Sequence, residues 1–168
     1  LAFGGGNGFD IFNPEDLSDN QIKPNVVLTD FLLFNKTVPI SENGSVLNKS
    51  ISLEKEIGLS YKDSVFSFEF VSLDFTVPGK NLYAYKMTGF DKDWVYSGNN
   101  NQATYTNLDP GEYIFRVKGS NNDGIWNEEG VSLKIKIKPP FWKTLWFKGM
   151  GMMAVAGTAA SFYNNKLK

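Results

Sequence analysis

The chain has 168 residues, of which 42% are hydrophobic, 15% aromatic and 21% charged, and this composition predicts one folded domain with appended segments and excludes wholesale disorder. Seventeen basic residues against 18 acidic ones leave a net charge of −1, which excludes the basic footprint of a nucleic-acid-binding protein. The sequence contains no cysteine, which excludes disulfides and thiolate catalysis. It also contains no histidine, which is the commonest general base and the commonest metal ligand. We therefore predict no catalytic residues, no cofactor and no metal site.

The chain opens with a glycine-rich segment. Residues 1–14 hold two short apolar runs on either side of the sequence GGGNG, which predicts a β-hairpin. A phosphate-binding loop is the alternative, but no helix start with Lys-Ser or Lys-Thr follows the glycines. Because two strands alone cannot bury their faces, the hairpin is expected to complete a sheet elsewhere or to pack as an arm.

Strand signals then repeat at the spacing of an all-β domain. Strands are predicted at 26–34, 65–75, 82–87, 103–106, 113–119 and 131–138. The strands at 65–75 and 82–87 are expected to pair as a hairpin around the turn at 78–81, and residues 121–124 are expected to form another turn.

The polar stretch 39–49 is predicted to be an exposed loop. Asn-X-Ser/Thr triplets begin at Asn35, Asn43 and Asn48. Each would accept a glycan in a eukaryotic secreted protein, and chance in an asparagine-rich surface explains them equally well.

Alternation assigns a face to each side chain of the later strands. In the strand 113–119, Tyr113, Phe115 and Val117 are expected inside. Arg116 and Lys118 are expected to face water. Trp94, which follows a turn, is predicted to pack across the end of the core rather than to serve as a ligand platform.

The last predicted strand carries lysines at 134, 136 and 138 on its water face. We interpret this row as solvent-facing and as a guard against pairing at a sheet edge, with anion binding as the alternative.

The most specific local signal is Leu-x-Pro-Gly-x-Tyr, formed by Leu108, Pro110, Gly111 and Tyr113. It has the form of a tyrosine corner, in which the leucine enters the core, Pro-Gly turns the chain and the tyrosine hydroxyl bonds to upstream backbone. The predicted fold is therefore an all-β, two-sheet sandwich of the fibronectin III or immunoglobulin-like kind.

The composition changes after Pro139 and Pro140, which end the last strand. Residues 141–147 contain four aromatic side chains, and roughly 18 nearly uncharged residues from 145 to 162 would span about 27 Å as a helix. Lys166 and Lys168 come after this span. This order predicts a juxtamembrane segment and a membrane-spanning helix, with a small-residue tail as the alternative because Lys148 and many glycines and alanines interrupt the apolar run.

Three stretches, at 83–94, 105–113 and 121–126, resemble the successive signatures of the three-tyrosine (Y-Y-Y) domain, which ends the periplasmic region of bacterial hybrid two-component sensors, especially those of gut Bacteroidetes. The signature positions are Tyr85, Trp94, Tyr105, Leu108, Pro110, Gly111, Tyr113 and Trp126. The resemblance implies that Tyr85, Tyr105 and Tyr113 are the naming tyrosines. It also implies three parts: the closing strands of an upstream β-propeller at 1–22, the sandwich at 23–140, and the juxtamembrane and transmembrane segment at 141–168.

The resemblance implies a role as well. Upstream propellers would bind an oligosaccharide, and this periplasmic module, attached to the inner membrane, would form a homodimer at its membrane-proximal end. It would relay the signal to a histidine kinase further along the same chain, without catalysis of its own.

Two other functions compete with the relay. One is a carbohydrate-binding module in which Trp94, Tyr96 or Trp126 stacks on sugar rings. The other is a glycosidase, which would need two positioned carboxylates, from Asp91 and Asp93 or from Glu128 and Glu129. Both carboxylate pairs fall in predicted turns without sign of a cleft, which disfavours the glycosidase.

Overall fold

The structure is a computed structural model that describes residues 1–6, 8–11, 13, 18–41 and 45–166, with only the backbone of Leu145 and Asn164. Its strands are β1 (Ala2–Gly5), β2 (Gly8–Ile11), β3 (Val26–Leu33), β4 (Lys36–Thr37), β5 (Glu56–Ser60), β6 (Val65–Ser72), β7 (Tyr83–Thr88), β8 (Val95–Gly98), β9 (Gln102–Thr106), β10 (Gly111–Ser120) and β11 (Trp126–Lys138). Short 3-10 helices cover Ile51–Leu53, Pro78–Lys80 and Phe141–Lys143, and the α-helix α1 covers Leu145–Lys166.

The strands form two sheets that enclose one core, apart from a separate β1–β2 hairpin. One sheet has the order β5-β11-β10-β7-β8 and the other the order β4-β3-β6-β9. All neighbours are antiparallel except β5 and β11, which run parallel with Ile57 opposite Ile135. The predicted all-β sandwich and the predicted N-terminal hairpin are confirmed.

Phenylalanines from both sheets fill the core. Phe66, Phe68 and Phe70 alternate along β6 and are each at most 1% exposed, as their spacing predicts. The Phe68 ring stacks on Phe115 of β10, with ring centroids 4.4 Å apart, so it joins the two sheets directly. Each fully buried phenylalanine stabilises the fold by about 1.5–3 kcal/mol through the apolar surface it removes from water.

The predicted hairpin between strands 65–75 and 82–87 is wrong. β6 pairs with β3 and β9, whereas β7 pairs with β10 and β8, and the connection between them crosses from one sheet to the other. The crossing places inward aromatic rings of the two strands against each other, since Phe70 and Tyr83 meet across the core with centroids 5.4 Å apart.

The last strand also differs from its prediction. β11 is 13 residues long, begins at Trp126, and lies inside its sheet between β5 and β10, so its lysines do not guard an edge. The sequence did not predict β5, because five residues with a central glycine carry little strand signal.

The polar loop at 39–49 is only partly exposed. Leu47 is buried in the core cluster, and its backbone forms an isolated bridge with Ile40. Asn35 and Asn48 are exposed, and Asn43 lies outside the described residues.

The predicted C-terminal helix is present as α1. Among the described residues, no helix is both long and apolar enough to cross a membrane. The mean hydropathy of α1 is reduced by the charge of Lys148 and by the glycines at 149, 151 and 157.

Candidate functional site

The tyrosine corner forms as its sequence predicts. The Tyr113 hydroxyl donates a hydrogen bond to the carbonyl oxygen of Asp109 at 2.9 Å, and Leu108 packs against the core. Gly89 adopts a φ of +98°, and a Cβ there would lie 3.1 Å from Cδ1 of Tyr113, so both the conformation and the space favour glycine. Burial, and then the nearby Asp109 charge, raise the pKa of the Tyr113 hydroxyl.

Tyr85 and Tyr105 lie together on the inner side of the sandwich. Their rings meet edge to face with centroids 6.1 Å apart, and the Tyr105 hydroxyl donates to Oδ2 of Asp91 at 2.6 Å. The same oxygen accepts the Met87 amide at 2.6 Å, so the carboxylate closes the turn that follows β7. Burial first, and the Asp91 contact second, raise the pKa of Tyr105 far above its ordinary value. These contacts give the two tyrosines a structural role.

Trp94, Tyr96 and Trp126 gather on the outer face of the five-stranded sheet around Lys118. Lys118 Nζ lies 4.9 Å from the ring centroid of Trp94 and 5.4 Å from those of Tyr96 and Trp126. Glu128 completes the cluster with an ion pair to Lys118 at 2.7 Å. Cation–π attraction therefore uses all three rings within the protein.

This cluster corrects two predictions. Lys118 does project outward from β10, but it is only 6% exposed because the three rings cover it. Trp94 packs on this outer face and not across the end of the core, since the Lys118 and Arg116 cations draw it there. Burial alone would lower the pKa of Lys118, but its contacts with Glu128 and Tyr96 outweigh burial and raise it.

The lysine row of β11 faces acidic partners on the neighbouring strands. Lys134 pairs with Glu112 at 3.1 Å, and Lys136 pairs with Glu56 at 2.9 Å. The Lys134 contact lowers the pKa of Glu112, and the Glu56 contact raises the pKa of Lys136. These pairs balance the two lysines, which disfavours the anion-binding alternative.

The predicted carboxylate pairs are used in structural contacts. Asp91 accepts hydrogen bonds from Tyr105 and from the Met87 amide, while Glu128 pairs with Lys118. One member of each pair is thus held by neighbouring groups, which disfavours the glycosidase hypothesis.

Sequence reasoning missed a buried polar cluster at one end of the sandwich. Ser72 Oγ donates to the Ser120 carbonyl at 2.9 Å, and Asn81 Nδ2 donates to the Asp74 carbonyl at 3.0 Å. Asn121, next to Ser120, is also fully buried. The only sequence signal was the turn composition at 121–124, because the partners lie far apart along the chain.

Comparison with known proteins gives matches of three kinds. Residues 74–138 match the Y_Y_Y domain family. A curated relative named histidine kinase P4, from Formosa agariphila, is 37% identical over 170 residues, which cover 99% of this chain and 12% of that protein.

Solved structures from B. thetaiotaomicron are similar as well. One, described as the extracellular domain of a one component system, BT4673, matches with a TM-score of 0.65 and 29% identity, covering 83% of this chain and 19% of that one. Another, described as the extracellular domain of a hybrid two component system, BT3049, matches with a TM-score of 0.58 and 26% identity, covering 82% of this chain and 20% of that one. The chain therefore spans about a fifth or less of the proteins it matches.

Proposed function

We propose that the chain, in which residues 74–138 match the Y_Y_Y domain family, is a non-catalytic relay module in the extracytoplasmic part of a two-component sensor. The observation that carries the proposal is the similarity along nearly the whole chain to a protein named histidine kinase and to extracellular domains described as parts of such systems. That similarity to extracellular sensor domains also confirms the prediction that this chain is not itself an enzyme.

We propose the periplasm as its location and an oligosaccharide, bound by upstream propeller domains, as the signal. The hairpin of β1 and β2 supports an upstream partner, because its Phe9 and Ile11 side chains are exposed on a two-stranded sheet that cannot bury them alone. The histidine kinase would lie downstream in the same chain.

At the other end, we propose that the aromatic segment 141–147 lies towards the inner membrane and that two copies associate there. Phe141, Trp142, Trp146 and Phe147 form a chain of edge-on ring contacts and remain partly or largely exposed, which is a composition typical of an interface. Chemical crosslinking of the complete sensor in its native membrane tests this arrangement, with Lys143 as the reactive site.

A second candidate function is carbohydrate binding by this chain. The favouring observation is that Trp94, Tyr96 and Trp126 meet on one surface, where Tyr96 is 66% exposed. The opposing observation is that their faces surround Lys118, and that the Tyr96 and Trp126 rings meet edge to face, 80° apart, and not as a flat platform.

Isothermal titration calorimetry separates the two functions. We would titrate malto-, xylo- and alginate-oligosaccharides into this chain and, in parallel, into the complete extracytoplasmic region of the sensor. The relay predicts heat only from the complete region. Heat from this chain alone, abolished by Tyr96→Ala and unchanged by Tyr163→Ala on α1, would support the carbohydrate-binding module and contradict the relay.

A further inference from the structure

The segment that precedes β3 is fastened to the sandwich through one buried side chain. Asn121 Nδ2 donates to the carbonyl oxygens of Asn20 at 2.5 Å and Ile22 at 3.0 Å. Its Oδ1 accepts the amides of Asp123 at 3.0 Å and Ile125 at 2.9 Å. A side-chain amide has two donor hydrogens and two acceptor lone pairs, so Asn121 uses all four to join the β10–β11 turn to residues 18–25, which we call the linker.

The linker adds contacts of its own. The Asn20 amide donates to Oδ2 of Asp123 at 2.7 Å, and Asn20 Nδ2 donates to Oδ1 of Asp74 at 3.2 Å. Further along, Asn127 Nδ2 donates to the Pro24 carbonyl at 2.9 Å. We call Asn20, Asp74, Asn121, Asp123 and Asn127 the linker clamp. It spans the linker and both sides of the turn, so the chain has little freedom where it joins the sandwich.

The opposite end of the sandwich holds the chain where it leaves. The Tyr61 amide donates to the carbonyl oxygen of Lys138, the last residue of β11, at 3.1 Å. The Trp142 ring packs edge-on against the Tyr61 ring, with centroids 5.3 Å apart. Pro140, which lies between Lys138 and Trp142 along the chain, is buried. We call Tyr61, Pro140 and Trp142 the exit anchor.

One strand connects these two attachments. β11 begins at Trp126, beside the linker clamp, and ends at Lys138, beside the exit anchor. At about 3.3 Å per residue, its 13 residues span roughly 40 Å. β11 is hydrogen-bonded to β10 along most of its length, apart from a register shift that leaves residues 128–130 without partners, and to β5 over its last five residues, so it should move with the sheet.

We propose that β11, with the linker clamp at its start and the exit anchor at its end, is a rigid strut between the linker and the C-terminal segment. A displacement of the linker would move residues 139–143 as part of one rigid body, because the contacts of the linker clamp and of the exit anchor fasten both ends of β11. The inference rests on the proposed relay function and adds the path along which the signal would travel.

Distance measurements between spin labels test the rigidity. The chain contains no cysteine, so labels can be attached to Ser18→Cys and Lys143→Cys, two exposed positions just outside the attachments. The chain with intact clamp and anchor should give one narrow distance distribution. A broad distribution would overturn the proposal.

Clamp variants then test the cause. Asn121→Asp keeps the shape and the acceptors but places a carboxylate oxygen against the Asn20 and Ile22 carbonyls. It should broaden the distribution and reduce the hydrogen-exchange protection of the Asn20 amide by roughly tenfold or more. Asn20→Ala acts from the linker side by removing the Nδ2 bond to Asp74 and alters no side chain of the sandwich, so it gives the answer if Asn121→Asp fails to fold. Unchanged distributions in both variants would overturn the proposal.

Asn100→Asp is the matched control. Asn100 is exposed, and its side-chain oxygen accepts the Gln102 amide in the loop before β9. The same chemical change at this position should leave the distribution narrow. Equal broadening in Asn100→Asp would show a general effect of added charge and would contradict the assignment of rigidity to the clamp.

Measurements on the complete sensor distinguish a wrong strut proposal from a wrong relay proposal. Ligand-stimulated autophosphorylation should be present in the unmodified sensor and weakened several-fold by Asn20→Ala, with ligand affinity unchanged. Full stimulation in Asn20→Ala would overturn the strut while the relay stands. An unmodified sensor that binds ligand without stimulation would overturn the relay, while the spin-label result would still report on rigidity.

Discussion

Replacing Tyr105 and Tyr113 separately by phenylalanine should destabilise the sandwich by different amounts, although each change removes one oxygen atom. The Tyr105 hydroxyl donates to a carboxylate at 2.6 Å from a ring that is 5% exposed. Hydrogen bonds to charged groups contribute about 1.5–3 kcal/mol, so Tyr105→Phe should cost about 2 kcal/mol. The Tyr113 hydroxyl donates at 2.9 Å to a neutral, exposed carbonyl, for which about 0.5–1 kcal/mol is expected.

Urea denaturation followed by tryptophan fluorescence measures both free energies of unfolding. Tyr163→Phe is the control, because Tyr163 is largely exposed on α1, and it should change the free energy of unfolding by less than about 0.5 kcal/mol. If the Tyr105 effect comes from Asp91, then Tyr105→Phe should cost much less in an Asp91→Asn background. An equal or larger cost for Tyr113→Phe, or no coupling to Asp91, would refute this reasoning.

Three further outcomes are expected from the same contacts. The folded chain holds the Tyr105 proton to a higher pH than the unfolded chain does, because burial raises its pKa. The contribution of Tyr105 to the free energy of unfolding is therefore fully present below about pH 10 and should fall above it by about 1.4 kcal/mol per pH unit. Alkaline denaturation should show a smaller loss of stability in Tyr105→Phe. Gly130→Ala should prevent folding or destabilise the fold by several kcal/mol, because the new Cβ would lie 2.1 Å from the Val117 carbonyl oxygen. Gly124→Ala, at φ +80° but in open space, should cost only about 1 kcal/mol by thermal denaturation. Similar costs at the two glycines would contradict the predicted clash at Gly130. Phe68→Ala should cost about 3–5 kcal/mol in urea, because the ring joins the sheets, and a cost under about 1 kcal/mol would mean that the core collapses around the gap.

Local signals in the sequence predicted local structure well. The corner at Tyr113 depends on residues at most five positions apart, and the hairpin at the N-terminus depends on adjacent glycines. The inward face of β6 was likewise predictable, because alternation within one strand decides which side chains enter the core.

Features that depend on distant residues could not be predicted from sequence in this way. Lys118 is covered by rings from β8, from the loop that precedes β8, and from β11. Alternation along a strand carries no information about such neighbours. The parallel pairing of β5 with β11 joins segments about 78 residues apart, and the Asn121 contacts reach back by about 100 positions. Asparagine in a turn predicts the turn, but not the linker that its side chain binds.

The relay itself is tested most directly by uncoupling the sandwich from the C-terminal segment. A flexible Gly-Ser segment inserted between Lys138 and Pro139 of the complete sensor would detach β11 from the exit anchor while leaving the sandwich and all upstream domains intact. Ligand affinity and ligand-stimulated autophosphorylation would be measured on the same preparation. The relay predicts unchanged affinity and loss of stimulation, whereas stimulation that survives the insertion would contradict it.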